Sequence, residues 1–267
     1  MTTLLLASLL LGPFQGAPLE LASCETVRRY RAPEARQAVA VDREHFYAIT
    51  NRRIGKYRKS DGERVAEYQD PADGAIYHMN AGVVIGDRLY CANSNFPDIP
   101  MTGSIEIFDT RDLRHVGSRS FGIDIGSLLW VLKRDQDWWA CFGHYNERGG
   151  EPGKTNERTM LVKFDDQFRK LEGFVFPRAV IDRWDGMTNS GAIWLPNVIL
   201  VGTGHHAPEL HLYRLPTSGS TLRLVGIVPM ECEGQGIAYE EETGHIWGIQ
   251  RRTGEVLVMK LPSLDGR

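Results

Sequence analysis

The chain has 267 residues, a formal net charge of −3 and 42% hydrophobic residues. This length accommodates one large domain or two small ones. A nearly neutral charge without a basic stripe argues against nucleic acid as the main partner. Abundant glycine, plentiful aromatic residues and many short β-branched runs indicate an all-β protein, because no long amphipathic helix pattern appears among them.

The N-terminal residues have the character of a targeting segment. The apolar run LLLASLLLG has the length of a signal-peptide core and is too short to span a bilayer, although no basic residue precedes it. We expect residues 1–23 to be a signal peptide and residues 24–267 to form a single domain without a transmembrane segment. The segment LASC resembles a bacterial lipobox, so a lipid anchor at Cys24 is an alternative. Both interpretations predict a secreted, periplasmic or otherwise extracytoplasmic protein.

Four cysteines follow from Cys24 onwards, and in an exported chain they allow three disulfide pairings. No pair has the CxxC spacing of a structural zinc site. We expect Cys91 and Cys141 to be small buried residues.

Five segments share one local pattern, in which polar residues precede a small residue and an apolar strand. The small residues are Ala38, Gly82, Gly126, Gly191 and Gly236, which are 44, 44, 65 and 45 residues apart. Second and third strand-like runs follow each of them, and a fourth follows all but the last. The missing fourth run is available near the N-terminus as ETVRRYRAP, residues 25–33. The long interval contains the polar, glycine-rich insertion HYNERGGEPGKTNER.

Repeats of about 45 residues, each with four strands, are typical of β-propellers. The sequence therefore predicts a single five-bladed β-propeller with four-stranded blades. An N-terminal strand completes the last blade and closes the ring, which removes exposed sheet edges.

Polar residues cluster at two positions of every repeat, before the innermost strand and after the second strand. In a propeller blade these two positions meet at one face, around the central channel. The two longest loops open on this same face, so we predict a ligand site at the channel mouth. The alternative is that these residues only form turns.

The histidines at this face suit acid–base chemistry near neutral pH. The predicted catalytic residues are His78, His144 and His205, with Asp124 as a carboxylate partner. The predicted substrate-binding residues are Asn51, Asn95, Asn146, His206, Gln250 and Arg251. By register with His144, we expect His205 to point toward the axis and His206 toward the rim.

An oxygen ring from four blades is the candidate metal site. Its members are Asn80, Asp124, Asn189 and Gln235, and such a ring suits calcium, whereas the histidines suit zinc. No local metal motif and no GxSxG element is present.

The final repeat, GQGIAYEEETGHIWGIQRRTGEVLVMKL, resembles the closing blade of the plant-type glutaminyl cyclases between Gly236 and Leu261. The resemblance implies an exported five-bladed propeller that cyclises N-terminal glutamine. Acidic residues precede the inner strands in that family, whereas Gln37, Asn80, Asp124 and Asn189 stand at those positions here.

Three functions follow as expectations. The first is an exported enzyme, a hydrolase or lyase acting on a small molecule, with a metal-dependent or histidine-based site. The second is glutaminyl-cyclase-like acyl transfer. The third is a propeller that binds a small molecule, peptide or protein at its polar face without catalysis.

Overall fold

The computed structural model describes residues 18–264, and the apolar core of the predicted signal peptide lies outside them. The strands form five separate sheets, each containing the four antiparallel strands of one blade, and in four of the blades these strands are consecutive in the chain. The predicted five-bladed β-propeller is therefore confirmed.

The strands follow the chain in order. Two short elements come first: β1 (Leu19–Glu20) and β2 (Glu25–Arg31). Blade 1 contains β3 (Ala38–Val41), β4 (His45–Ile49), β5 (Arg53–Arg58) and β6 (Arg64–Gln69). Blade 2 contains β7 (His78–Ile85), β8 (Arg88–Ser94), β9 (Gly103–Asp109) and β10 (His115–Gly122). Blade 3 contains β11 (Ser127–Arg134), β12 (Asp137–Gly143), β13 (Met160–Phe164) and β14 (Lys170–Val175). Blade 4 contains β15 (Gly191–Trp194), β16 (Leu200–Thr203), β17 (Glu209–Arg214) and β18 (Arg223–Pro229). Blade 5 contains β19 (Ala238–Glu240), β20 (His245–Gln250) and β21 (Glu255–Lys260), and β2 completes it.

The N-terminal strand closes the ring as predicted. β2 pairs antiparallel with β21, with Glu25 opposite Lys260 and Arg31 opposite Glu255. The outer edge of the last blade is thus covered by the strand that leads into the first blade. Closure therefore joins two segments that are far apart in the sequence, because β2 completes the sheet of β19, β20 and β21.

The residues just before β2 also belong to the propeller. β1 adds a parallel fifth strand to blade 4, with Leu19 opposite Gly226. The backbone N–H of Cys24 donates to the carbonyl of Pro229 at 2.8 Å. Leu21 and Cys24 pack against the apolar cluster between blades 4 and 5. The structure therefore places part of the predicted signal peptide, and the lipobox cysteine, against the sheet.

The inner strands approach closely at the axis. A Cβ atom on Gly236 would lie 2.4 Å from the Cβ of Ala38, and one on Gly191 would lie 2.6 Å from the Cα of Gly236. Real Cβ atoms do not come so close, so the small repeated residues are required by sterics. The backbone N–H of Gly236 also donates to the carbonyl of Gln37 at 2.9 Å and links blade 5 to blade 1.

The long third interval of the repeat contains two extra segments, of which the sequence pattern revealed only one. The predicted insertion lies between β12 and β13. A second extra segment joins β14 to β15 and contains the four-residue helix α1 (Arg178–Ile181) and a 3₁₀ turn (Asp182–Trp184). Trp184 is only 2% exposed and packs edge-on against Phe176. A helix of one turn is too short to produce a recognisable hydrophobic period.

Cys91, Cys141 and Cys232 are buried, in agreement with the expectation for the first two, and all four cysteines are free thiols. Within residues 18–264, no helix has the length and apolar character needed to cross a bilayer.

Aromatic side chains fill the seam between blades 5 and 1. The ring of Tyr30 on β2 lies 4.8 Å from that of Phe46 and 5.6 Å from that of Trp247. Its hydroxyl donates to the carbonyl of Lys59 at 2.6 Å. Tyr30 therefore fastens the closing strand to the first blade through both packing and a hydrogen bond.

We predict that Tyr30→Ala lowers the free energy of unfolding by about 3 kcal/mol, because it leaves a cavity at the seam where the ring closes. Tyr30→Phe keeps the packing and should cost about 1 kcal/mol. Val27→Ala on the same strand is the control, because Val27 is 45% exposed and should change stability by less than about 0.5 kcal/mol. Urea unfolding followed by tryptophan fluorescence measures all three. Equal stability of Tyr30→Ala and Val27→Ala would contradict the role of this seam.

Candidate functional site

A cavity of about 580 Å³ lies at the predicted face, at the mouth of the central channel. All five blades contribute to it. Its lining residues are Gln37, Asn51, Arg52, Tyr77, His78, Asn80, Phe96, Pro97, Leu129, Tyr145, Arg148, Met187, Ser190, His205, Gln235 and Arg251. This volume is typical of small-molecule sites in proteins.

Six of the residues predicted from the sequence line this cavity. They are Asn51, His78, Asn80, His205, Gln235 and Arg251. Each comes from the start of an inner strand or the exit of a second strand, as the repeat indicated. The structure brings residues of blades 1, 2, 4 and 5 together although they are far apart in the sequence.

His144 lies beside the cavity and does not line it. Its side chain is buried, and its Nδ1 atom lies 3.1 Å from the carboxylate of Glu151. Burial lowers the pKa of His144, and the negative charge of Glu151 acts in the opposite direction. His144 therefore joins the insertion to blade 3, and the structure gives it no access to a ligand in the cavity.

Asp124 is separated from the other predicted catalytic residues. It is exposed in the turn before β11 and does not line the cavity. It therefore supplies no carboxylate to the histidines.

Three predicted binding residues hold the rim of the site instead of facing the cavity. Asn95 donates to the carbonyl of Pro100 at 2.9 Å and accepts from the N–H of Thr102 at 2.8 Å, which fixes the loop that carries Phe96. Asn146 accepts from the N–H of Asn156 at 2.9 Å and so stabilises the insertion. The Gln250 amide lies beside the Glu233 carboxylate, 3.0 Å away.

The two adjacent histidines of blade 4 have different positions. His205 lines the cavity, and His206 is exposed on the rim with its ring 4.4 Å from that of His205. His206 lies in a shallow depression with Glu233 and Arg252, next to the main cavity.

The predicted oxygen ring is not assembled. The oxygen of Asn189 accepts from the indole N–H of Trp130 at 2.5 Å, in a fully buried position outside the cavity. Asp124 faces solvent, so only Asn80 and Gln235 of the four reach the cavity. Among the residues that the structure describes, no group of three or more His, Cys, Asp and Glu residues could hold a metal ion.

Two loops contribute residues that the repeat pattern did not identify. Phe96 packs between His78 and Tyr145, with ring distances of 5.2 and 4.7 Å. The guanidinium group of Arg148 lies over the Phe96 ring at 5.7 Å. Both residues lie in the two longest loops of the predicted face. A search of those loops for aromatic and basic side chains would have found them.

The cavity is electrostatically one-sided, because three arginines and no carboxylate belong to its lining. Arg52 is paired with buried Asp70 at 2.9 Å. Arg148 lies over Phe96 and Arg251 contacts His205, and within the described part of the chain neither is paired with a carboxylate. Among the described residues, Arg148 and Arg251 therefore form no salt bridge, although the Glu233 carboxylate outside the cavity acts on Arg251 electrostatically.

Both cavity histidines are neutral near pH 7. Burial, together with the positive charges of Arg251 and Arg148, lowers the pKa of His78 to about 4. Burial, with His206 and Arg251 nearby, lowers the pKa of His205 to about 3. A buried neutral imidazole has one hydrogen-bond donor and one acceptor, so it is suited to proton transfer.

No protein-family model matches the chain, and no curated protein matches it. Among solved structures, the glutaminyl cyclase of Myxococcus xanthus is similar over 93% of this chain and 100% of that one, with a TM-score of 0.62 and 12% identity. The WD40 domain of Toxoplasma gondii coronin covers 90% of this chain and 57% of its own, with a TM-score of 0.42 and 14% identity. The WD40 propeller of Doa1 covers 91% and 98%, with a TM-score of 0.47 and 8% identity. The expected likeness to glutaminyl cyclases is thus confirmed for the fold.

The lowered pKa values predict that mild acid destabilises the protein. Between the ordinary pKa of 6.5 and the lowered values of about 4 for His78 and about 3 for His205, the unfolded chain binds protons that the folded chain does not bind. Stability therefore rises with pH in this window and falls as the pH is lowered, by up to about 1.4 kcal/mol per pH unit for each histidine. His144 acts in the same direction. Urea unfolding at several pH values measures the slope, which His78→Gln should reduce. An unchanged slope in that variant would contradict the assignment.

Proposed function

We propose that this protein is an exported enzyme that acts on a small molecule by proton transfer, as a hydrolase or lyase, at the mouth of the propeller channel. The single observation that supports it is a neutral imidazole, His78, which a buried amide orients inside a cavity built by all five blades. His78 is the proposed general base. No metal takes part in this proposal.

Asn80 orients His78. The Asn80 amide nitrogen donates to the carbonyl of Leu128 at 2.7 Å and to the hydroxyl of Ser94 at 3.3 Å. Its oxygen is thereby left to accept from the His78 ring, and this hydrogen bond raises the pKa of His78 against the effect of burial. One ring nitrogen of His78 is therefore the donor to Asn80, and the other keeps its lone pair for a substrate proton.

The backbone and the aromatic wall fix the position of this base. Residues at the start of β7 are held by Asn93, whose side-chain oxygen accepts from the N–H groups of His78 and Tyr77 at 3.0 and 3.2 Å. The Phe96 ring packs against the imidazole. Such support is needed because proton transfer depends on a fixed distance between base and substrate.

A second candidate function is cyclisation of N-terminal glutamine, which the fold similarity to the Myxococcus xanthus glutaminyl cyclase favours. In that reaction His78 would take the proton of the attacking amine. The unpaired arginines weigh against it, because they repel a positively charged N-terminus. For this reason the proton-transfer enzyme for a small molecule is the first proposal.

We predict that His78→Gln lowers turnover by about 10²- to 10⁴-fold, the usual contribution of a general base. Small organic acids, esters and lactones are incubated with the protein in D₂O, and NMR detects ester loss, elimination or exchange of a carbon-bound proton. Peptides with N-terminal glutamine are tested in parallel by mass spectrometry for loss of ammonia.

His245→Gln is the matched control, because His245 begins β20 and does not line the cavity. Full activity in His245→Gln with loss in His78→Gln supports the assignment. Equal activity in the two variants overturns it. A wild-type protein that transforms none of these compounds would be a binding protein, contrary to the proposal.

A further inference from the structure

The side chain of Gln235 fixes the tautomer of His205. The Gln235 amide nitrogen lies 2.8 Å from the backbone carbonyl of His205 and 2.9 Å from its Nδ1 atom. The carbonyl can only accept, so the amide must present its nitrogen and not its oxygen. Nδ1 therefore accepts a hydrogen bond, and the neutral ring carries its proton on Nε2.

The backbone around Gln235 holds this amide firmly in place. Gln235 is 2% exposed and has a φ of +74°, a left-handed conformation that is unusual for a residue other than glycine. Its carbonyl accepts from the hydroxyl of Thr203 at 2.6 Å, and its N–H donates to the carbonyl of Gly204 at 3.0 Å. A strained backbone conformation of this kind persists only where the surrounding contacts hold it in place.

Two hydrogen-bond donors consequently converge in the cavity. The Nε2 atom of His205 carries a proton and lies 3.5 Å from the Nη1 atom of Arg251, which is also a donor. The carboxylate of Glu233, on the same blade, acts on Arg251 electrostatically, but it lies outside the cavity, where Arg252 binds it and Gln250 lies beside it. Among the described residues, no carboxylate lines the cavity where these two donors meet.

We propose that the His205 Nε2–H and the Arg251 guanidinium group form an oxyanion subsite, which binds a carboxylate or phosphate group of the substrate. This inference rests on the proposed function, because it takes the cavity to be a substrate site, and it adds the substrate class: a small organic acid or phosphate ester. An oxygen atom that accepts from both groups satisfies the donors and neutralises the guanidinium charge.

Binding of the acidic group also changes the base. Burial is the largest cause of the lowered pKa of His78, and the charges of Arg251 and Arg148 lower it further. An anion placed against Arg251 offsets the arginine part of this effect, so the pKa of His78 rises from about 4 when the anion binds. His78 is then a stronger base when the substrate is bound than when the cavity is empty.

Isothermal titration with benzoate, with benzamide as its neutral isostere, and with inorganic phosphate tests the subsite at pH 7. Wild-type protein should bind benzoate or phosphate and should bind benzamide less well. Arg251→Gln should lower the affinity for the anion by about 10- to 100-fold, as expected for loss of a charge-assisted hydrogen bond. Arg53→Gln is the matched control, because Arg53 is exposed at the start of β5 and does not line the cavity.

Each outcome has a defined meaning. Stronger binding of benzoate indicates a carboxylate substrate, and stronger binding of phosphate indicates a phosphate ester. Absence of binding by both anions, benzamide binding as well as benzoate, or an unchanged affinity in Arg251→Gln overturns the subsite. These measurements do not depend on turnover. The subsite can therefore be tested even if His78 is not a catalytic base.

NMR of the imidazole signals provides an independent test. The ¹⁵N shifts of His205 should show a protonated Nε2 and an accepting Nδ1, and His205→Gln should weaken benzoate binding. The His78 pKa should rise when benzoate saturates the site. A His205 proton on Nδ1, or a His78 pKa that benzoate leaves unchanged, would contradict the geometry described above.

Discussion

The close approach of the inner strands at the axis is the constraint on which the rest of the structure depends. Gly236, Gly191 and Ala38 meet at distances that leave no room for larger side chains. Because the axis admits only small residues, the larger polar residues that immediately precede them lie at the channel mouth. The same sterics that fix the blade spacing therefore also concentrate hydrogen-bonding groups at one end of the channel.

The sequence was sufficient to predict the blades and the ring closure. The small residues recur at intervals of 44, 44, 65 and 45 residues, and the last repeat lacks a fourth strand, which residues 25–31 supply. The positions of individual side chains could not be predicted in the same way. β7 begins at His78, so Asn80 lies within a strand and reaches the cavity, whereas β11 begins at Ser127 and leaves Asp124 in an exposed turn. The start of a strand shifts by a few residues between blades without changing the repeat.

Two cavity residues that the repeat pattern did not predict lie outside the repeated strands. Phe96 and Arg148 belong to loops, which have no repeat that would give their positions. The contacts of Phe96 with His78 and with Arg148 depend on how each loop folds back over the channel. Asn95 and Asn146 hold those loops through hydrogen bonds to the backbone. Two predicted binding residues are thus structural supports, while the aromatic and basic side chains beside them line the cavity. Polar turn residues often have this role, because their short side chains satisfy neighbouring backbone groups.

The distribution of charge in the cavity favours an acidic ligand over a basic one. Buried or half-buried charged groups of one sign are costly unless a partner neutralises them, and within the described part of the chain Arg52 forms a salt bridge but Arg148 and Arg251 do not. Glu233 offsets part of the charge of Arg251 from outside the cavity, and water, counter-ions or a ligand must supply the rest. A ligand that carries it gains the most, because it replaces weakly held solvent with charge-assisted hydrogen bonds. In the proposed mechanism, the same substitution relieves the positive field of the arginines at His78, so recognition of an acidic group and activation of the base follow from a single electrostatic change.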